Sequence, residues 1–199
     1  MLVDSEDLGR RLYKEVVLND EYLLRTIPQK QIKRVVDIGA NVGFFAVRAH
    51  ELFPEAAVHC FEPVESTLGM LLRNTVHILD FFVYNTPLGE PGKIEMLVGR
   101  DSGENFVTSG ASLHQLLSQT GCDDRTLVKI DCEGGERCLF SEVDYELLRR
   151  AFQVSMEIHF LKTFPWPIWK RKLDHIFNNH TLHTHVKPHA ATIVARRKS

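Results

Sequence analysis

The sequence predicts an α/β protein: a mostly parallel sheet with helices on both faces, an inserted β-hairpin and a terminal antiparallel strand pair. Three observations carry this. Short β-branched runs alternate with helical stretches through the first half of the chain, a glycine-containing turn links the first strand to its helix, and the C-terminal residues form two short strands around Pro188. With 199 residues, 44% hydrophobic and 25% charged, the chain has enough apolar material for one core. No repeat, linker or charge run divides it, so one domain is expected over 1–199, with an N-terminal helical segment (1–30) and an inserted flap (91–110).

The elements follow in order. Residues 5–27 read as helical: Ser5 caps the first turn, Glu6 and Asp7 suit its positive end, and Leu8, Leu12 and Val16 recur four apart before Pro28. A strand over 32–38 runs into Gly39-Ala40-Asn41-Val42-Gly43 and a helix over 44–53, broken by Pro54. Residues 57–61 form a second strand ending at Glu62-Pro63. A helix over 64–77 carries Leu68, Leu71 and Leu72 on one side, and 78–84 is a third strand. This alternation implies βαβ units.

Pro91-Gly92 then opens a hairpin, with Lys93-Ile94-Glu95-Met96-Leu97-Val98 as one arm, a Gly/Ser loop, and Phe106-Val107 in the other. A helix over 111–119 stops near Gly121. The strand over 126–130 delivers Asp131-Cys132-Glu133-Gly134-Gly135-Glu136 and a following helix, and the strand over 152–156 ends at Glu157-Ile158-His159. A helix over 169–178 precedes the terminal strands.

Composition narrows the function. Twenty-four Lys and Arg against 26 Asp and Glu give a formal charge of −2, so no global field draws the chain to nucleic acid or an anionic membrane. No apolar run approaches the ~20 residues of a membrane span. The acidic start over 1–7 lacks the apolar stretch of a secretory signal. Cys60, Cys122, Cys132 and Cys138 show no C-x-x-C spacing, which argues against a structural zinc or a dithiol pair. A soluble, cytoplasmic protein with reduced thiols is the expectation. His175, His180, His183, His185 and His189 crowd the C-terminal part without a nearby cysteine or carboxylate, and read as a solvated surface.

The turn after the first strand has the spacing D-x-G-x-x-x-G, with Asp37 where dinucleotide-binding turns carry their first glycine. A carboxylate there repels a pyrophosphate but suits a cationic ligand, such as the amine and sulfonium of S-adenosylmethionine. Glu62, ending the second strand, stands where an acid conventionally holds ribose hydroxyls. That role serves NAD equally well.

Asp37-Ile38-Gly39-Ala40-Asn41-Val42-Gly43, Phe61-Glu62-Pro63, Arg73-Asn74, Lys129-Ile130-Asp131-Cys132-Glu133-Gly134-Gly135-Glu136 and Glu157-Ile158-His159 together resemble the FkbM-type class I methyltransferases. The resemblance runs from about residue 35 to 159. Gly135 departs from a frequent alanine, and the short N-terminal part leaves little room for a separate substrate domain. The resemblance implies a Rossmann-like, seven-stranded fold and O-methylation of a small-molecule or carbohydrate hydroxyl with S-adenosylmethionine. It places Asp37, Gly39, Ala40, Asn41 and Gly43 around the methionine moiety, Glu62 and Pro63 at the ribose, the stretch from Thr86 to Leu88 beside adenine, and Asp131 at the donor as well.

Methyl transfer to oxygen needs an acceptor held in line and relieved of its proton. Asp131, Glu133 and His159 are the candidates for base and alignment, His159 having the more suitable ordinary pKa of ~6.5. Purely structural readings stand beside these: Glu136 as a first-turn helix acid and Glu157 as a partner of Lys129. Asp131, Glu133, Glu157 and His159 also suit a divalent cation. Phe164-Pro165-Trp166-Pro167-Ile168-Trp169 reads equally as an acceptor wall or a core plug. A nicotinamide oxidoreductase and a methyltransferase fold acting only through protein contacts are the competing readings.

Overall fold

The computed structural model describes residues 1–3, 5–89, 92–98, 104–140, 145–159 and 164–198, and of residues 92–98 and 104–109 the backbone alone. The expected Pro91 turn and Gly/Ser hairpin loop fall outside the described residues.

The strands are β1 (Arg34–Ile38), β2 (Ala57–Phe61), β3 (Phe81–Tyr84), β4 (Gly92–Val98), β5 (Glu104–Gly110), β6 (Thr126–Ile130), β7 (Gln153–His159), β8 (His180–Val186) and β9 (Ala190–Arg197). The α-helices are α1 (Glu6–Tyr13), α2 (Phe44–Leu52), α3 (Glu65–Thr75), α4 (Leu113–Thr120), α5 (Glu146–Arg150) and α6 (Trp166–Ile176). Seven strands form one sheet in the order β3-β2-β1-β6-β7-β9-β8. Every neighbouring pair from β3 to β7 is parallel, while β7–β9 and β9–β8 are antiparallel. β4 and β5 pair antiparallel as the inserted hairpin. The chain order reverses between β1 and β6, the switch point where sheets of this kind leave a crevice at their carboxyl ends.

The two sheet faces differ chemically. One carries Val36, Ile38, Phe61, Val128, Ile130, Val154, Met156 and Ile158, packed with the leucines of α4 and with Trp169 and Leu173 of α6. The other is apolar toward Val35, Val58 and Leu127, under Phe45 and Ala49 of α2 and residues Val16 to Ile32 of the N-terminal segment. Toward the strand ends, however, it carries Asp37, Lys129, Gln153, Ser155, Glu157 and His159. Strand alternation puts these on one side, and the register sets Asp37 beside Lys129 and Lys129 beside Ser155.

The structure changes several boundaries. The helix expected over 5–27 stops early: α1 gives way to a wider π-type turn over Lys14–Leu18, and only a 3-10 turn over Leu24–Thr26 follows. Asp20 is the cause. Its buried carboxylate accepts from the amides of Leu24 (2.8 Å) and Arg25 (3.0 Å), offering the backbone a local alternative to helical bonding. The third strand starts at Phe81 rather than 78, after Asp80 turns at φ 53°. In α3, Leu71 is buried and Leu72 exposed, and Met70, Asn74 and Thr75 complete the inward stripe.

A 3-10 turn over Gly135–Phe140 replaces the helix expected after Glu136. α6 begins three residues earlier than expected, with Pro165 as its cap. Trp169 is fully buried, its ring 4.6 Å from that of Phe140, which also stacks on Phe164. That half of the aromatic segment is core. β8 carries His183 and His185 exposed to solvent.

Candidate functional site

The turn after β1 is built by geometry that only certain residues allow. Gly39 has φ +79°, and a Cβ there would lie 1.8 Å from the Asp131 carbonyl oxygen. Its amide and that of Ala40 donate to the Phe61 carbonyl at 2.9 and 3.1 Å, clamping the turn to the end of β2. Asn41 adopts φ 50°, and its side chain accepts from the Val42 amide at 2.7 Å, an arrangement asparagine tolerates better than most residues. Gly43 opens α2 at φ +95° with Leu71 directly against it. From α3, Asn74 donates to the Val42 carbonyl at 2.8 Å and exchanges two bonds with the Leu2 backbone.

Glu62 lies beside this turn, almost fully buried. One carboxylate oxygen accepts from the Asn41 amide (2.8 Å) and the other from the Val64 amide (2.9 Å). Burial pushes its pKa up to about 7, against the pull of those two amides. Pro63 follows, half-buried. Thr86 is half-buried too, but Leu88 is not a surface residue of the crevice. Its side chain belongs to the apolar core with Leu113 and Leu139, so the expected contact with adenine has no exposed surface there.

Asp37 also differs from its expectation. It is wholly buried beneath the turn, and Lys129 Nζ lies 3.2 Å from its Oδ1. The reason is register: the two residues are direct partners on adjacent strands and share a sheet face. Lys129 is therefore engaged with Asp37 and not with Glu157, the partner expected for it. Lys129 further donates to the Gly39 carbonyl at 2.7 Å and lies 3.5 Å from Asp131 Oδ2. Burial opposes its charge, but Asp37 and Asp131 outweigh that and hold the ammonium above its ordinary value.

Across the switch point, β6 and β7 bring the acids and the histidine together. Glu133 and Gly134 turn the chain at φ 47° and 104°, which folds Glu136 back under the loop. The Glu136 carboxylate is fully buried and accepts from the amides of Cys132 (2.8 Å) and Gly134 (2.9 Å). It is thus the organiser of the loop rather than a first-turn helix acid. One of its oxygens also meets His159 Nδ1 at 3.3 Å.

His159 Nε2 lies 3.9 Å from Asp131 Oδ1 and 3.8 Å from Glu133 Oε2. Burial alone lowers the imidazole pKa, but Glu136, then Asp131 and Glu133, more than reverse this and raise it to about 9. At neutral pH His159 is a cation. Its expected role as a neutral base is therefore revised: the ring donates, and Asp131 is the group with an acceptor oxygen beside it. Glu157 is raised to about 7, first by burial and then by Asp131.

The N-terminal segment supplies a group that sequence reasoning did not find. Tyr22 packs edge-on against Phe45, and its hydroxyl lies 3.4 Å from Asp131 Oδ2. Its carbonyl accepts from Gln153 and Ser155 of β7. No sequence signal links Tyr22 to a residue 109 positions away. Lys129 was legible in principle, since Lys129 and Asp131 fall two apart at a strand end and so share a face.

Among the described residues, Asp131, Glu136 and His159 have ligand atoms within 4.8 Å of one another. The donor set is largely committed within the protein: Glu136 Oε1 takes both the Cys132 amide and His159 Nδ1, and Oε2 takes the Gly134 amide. It is arranged as an acid–imidazolium cluster. No described helix is long and apolar enough to cross a membrane.

No protein-family profile matches the chain. It is 26% identical over 191 residues to 31-O-demethyl-FK506 methyltransferase FkbM of Streptomyces tacrolimicus, an alignment covering 74% of each chain. The fold matches a rRNA methylase from Streptococcus thermophilus with a TM-score of 0.59 at 11% identity, over 92% of this chain and 96% of that one. It also matches Aeropyrum pernix fibrillarin, solved with natively bound S-adenosyl-L-methionine, with a TM-score of 0.56 at 14% identity, over 89% and 74%. The sheet order, the turn after β1 and the sequence similarity to FkbM agree, and together they support an S-adenosylmethionine-dependent methyltransferase similar to FkbM.

Proposed function

We propose that the chain methylates a hydroxyl oxygen of a small-molecule or carbohydrate acceptor. The observation that carries this is the gap of 3.9 Å between Asp131 Oδ1 and His159 Nε2 at the carboxyl ends of β6 and β7, beside the glycine turn. A single hydroxyl fits between them, donating to the carboxylate while accepting from the imidazolium, since ~2.8 Å to each is compatible with that separation. The similarity to a methyltransferase named for an O-demethyl substrate supports oxygen as the acceptor atom.

The residues of the turn fit the donor. Glu62 uses one lone pair on each oxygen for a backbone amide, which leaves acceptor capacity for a pair of ribose hydroxyls. Gly39, Ala40, Asn41 and Gly43 would face the methionine moiety. Pro63 and Thr86 would border the nucleoside, while Asp37 acts from below through Lys129. When bound, S-adenosylmethionine supplies a methyl group made electrophilic by its sulfonium.

The chain's own work is then proton management. Asp131 would take the proton of the acceptor hydroxyl, leaving its oxygen able to receive the methyl group that bound S-adenosylmethionine would supply. His159, kept cationic by Glu136, donates to the acceptor oxygen and aligns it. Glu133 borders the same nitrogen from the exposed side.

Calorimetric titration with S-adenosylmethionine, S-adenosylhomocysteine and NAD tests the donor. Binding of the first two alone is the expected result, while NAD alone would indicate an oxidoreductase and no binding at all an interaction module. Transfer of labelled methyl to a panel of hydroxyl, amine and carboxylate compounds then tests the acceptor, and transfer confined to amines would refute the oxygen assignment.

A further inference from the structure

Lys129 lies in the polar interior of the molecule, where it ties several segments together. It is only 4% exposed, yet its ammonium faces three oxygens from two segments: the Gly39 carbonyl at 2.7 Å and Asp37 Oδ1 at 3.2 Å from the end of β1, and Asp131 Oδ2 at 3.5 Å from the end of β6. Its Nζ also lies 5.9 Å over the Phe45 ring of α2. The Gly39 contact is a hydrogen bond and the two carboxylate contacts are ion pairs, so the ammonium is spent on the protein's own oxygens. What it does is mechanical. Gly39 is the pivot of the donor turn, and Asp131 is the acid proposed to receive the acceptor's proton.

The same contacts divide the Asp131 carboxylate. Lys129 and Tyr22 both lie against Oδ2, at 3.5 and 3.4 Å, while Oδ1 is the oxygen turned toward His159. One oxygen is anchored and the other presented.

We propose that Lys129 is a positioning residue for methyl transfer: one buried ammonium fixes the donor turn through the Gly39 carbonyl and the acceptor-side acid through Asp131 Oδ2, and so sets the two halves of the site relative to each other. This rests on the reading of the turn as the methyl-donor site. A role confined to neutralising Asp37 is the alternative. Removing both charges together separates the two roles.

Lys129→Met alone strands the buried Asp37 charge, and its failure to fold would say nothing about positioning. The informative protein is the double variant Asp37→Asn/Lys129→Met, which leaves no unpaired buried charge at that pair. Its fold is checked by circular dichroism and thermal melting, its donor site by calorimetric titration with S-adenosylhomocysteine, and its acceptor side by NMR titration of the His159 imidazole. With the Gly39 carbonyl deprived of a charged donor, affinity for S-adenosylhomocysteine is expected to fall ~10–100-fold. With Asp131 Oδ2 released, the carboxylate is free to close on the imidazole, and the His159 midpoint is expected to rise.

A folded double variant that binds S-adenosylhomocysteine as the wild type does overturns the proposal. Weakened binding with an unmoved His159 midpoint overturns its acceptor-side half. If the wild-type protein itself ignores S-adenosylhomocysteine, the donor reading is what fails, and the His159 midpoint still decides whether Lys129 positions Asp131.

Discussion

Replacing His159 by glutamine should remove a specific part of the protein's pH dependence. The imidazole climbs from its ordinary 6.5 to about 9 because Glu136, Asp131 and Glu133 surround it more strongly than burial opposes it. A group whose pKa is raised by folding binds its proton more tightly in the native state. Its contribution is therefore complete below pH 6.5 and lost as pH rises through 9. The interval of about 2.5 pH units, at ~1.4 kcal/mol each, is worth about 3–4 kcal/mol, and the low exposure of the ring means solvent screening removes little of it.

Glu62 and Glu157 are raised as well, each from 4.5 to about 7, so their contributions are lost earlier, between those values. His59, lowered to about 4 by burial, changes stability in the opposite sense over much of the same range, so the loss that isolates one group is the one above about pH 7, which belongs to His159.

The assay is urea denaturation of the wild type and His159→Gln at half-unit intervals from about pH 6 to 9.5. Between about pH 7 and 8.5 the wild type should lose ~1.4 kcal/mol per pH unit relative to the variant, the slope for one proton held by the native state alone. Glutamine keeps a donor for Glu136, so the variant retains the loop at low pH and differs mainly in slope. Cysteines and other groups that titrate in this range are common to both proteins and cancel in the difference. Parallel curves for the two proteins would refute the cationic His159, and with it the assignment of Asp131 as the proton acceptor.

Two further substitutions test the architecture of the turn. Gly39→Ala drives a Cβ to 1.8 Å from the Asp131 carbonyl at φ +79°, and the combined strain and overlap should cost about 3 kcal/mol by chemical denaturation and abolish S-adenosylhomocysteine binding. An alanine variant that binds normally would show that this backbone is not what shapes the site. Asn74→Ala leaves the Val42 carbonyl without its side-chain donor and frees the Leu2 backbone, a loss of about 2 kcal/mol in the same experiment. A melting temperature within about a degree of wild type would show that the α3 contact does not brace the turn.

Much of the fold was legible because its signals are local. The runs Val35-Val36-Asp37-Ile38 and Thr126-Leu127-Val128-Lys129-Ile130 are too short and too apolar for exposed helices, and each ends at a turn residue. Gly39 and Gly43 were readable because a positive φ is a local demand that glycine meets at little cost. The early end of the N-terminal helix was not readable. It depends on a buried Asp20 accepting two amides ahead of it, and an isolated aspartate gives no sign of its own burial.

The site divides along the same line. The convergence of Asp131, Glu133 and His159 was visible, because strand ends on one edge of a parallel sheet come together whatever their sequence separation. Protonation was not, because it belongs to the set. An unperturbed histidine is half-titrated near neutrality and reads as a base. The same ring facing Glu136, whose carboxylate two backbone amides hold in place, is an acid donor. Asp37 makes the point from the other side. Its position at the turn suggested a ligand for a cation, and the cation it meets is the protein's own, supplied by its register partner 92 residues later. A carboxylate spent on Lys129 does not bind the donor directly, but it is the reason Lys129 can stay charged in a buried place, and a charged Lys129 is what reaches both the Gly39 carbonyl and Asp131. On the proposed reading of the site, the anionic residue in the turn motif acts on the methyl donor at one remove, through the side chain it holds.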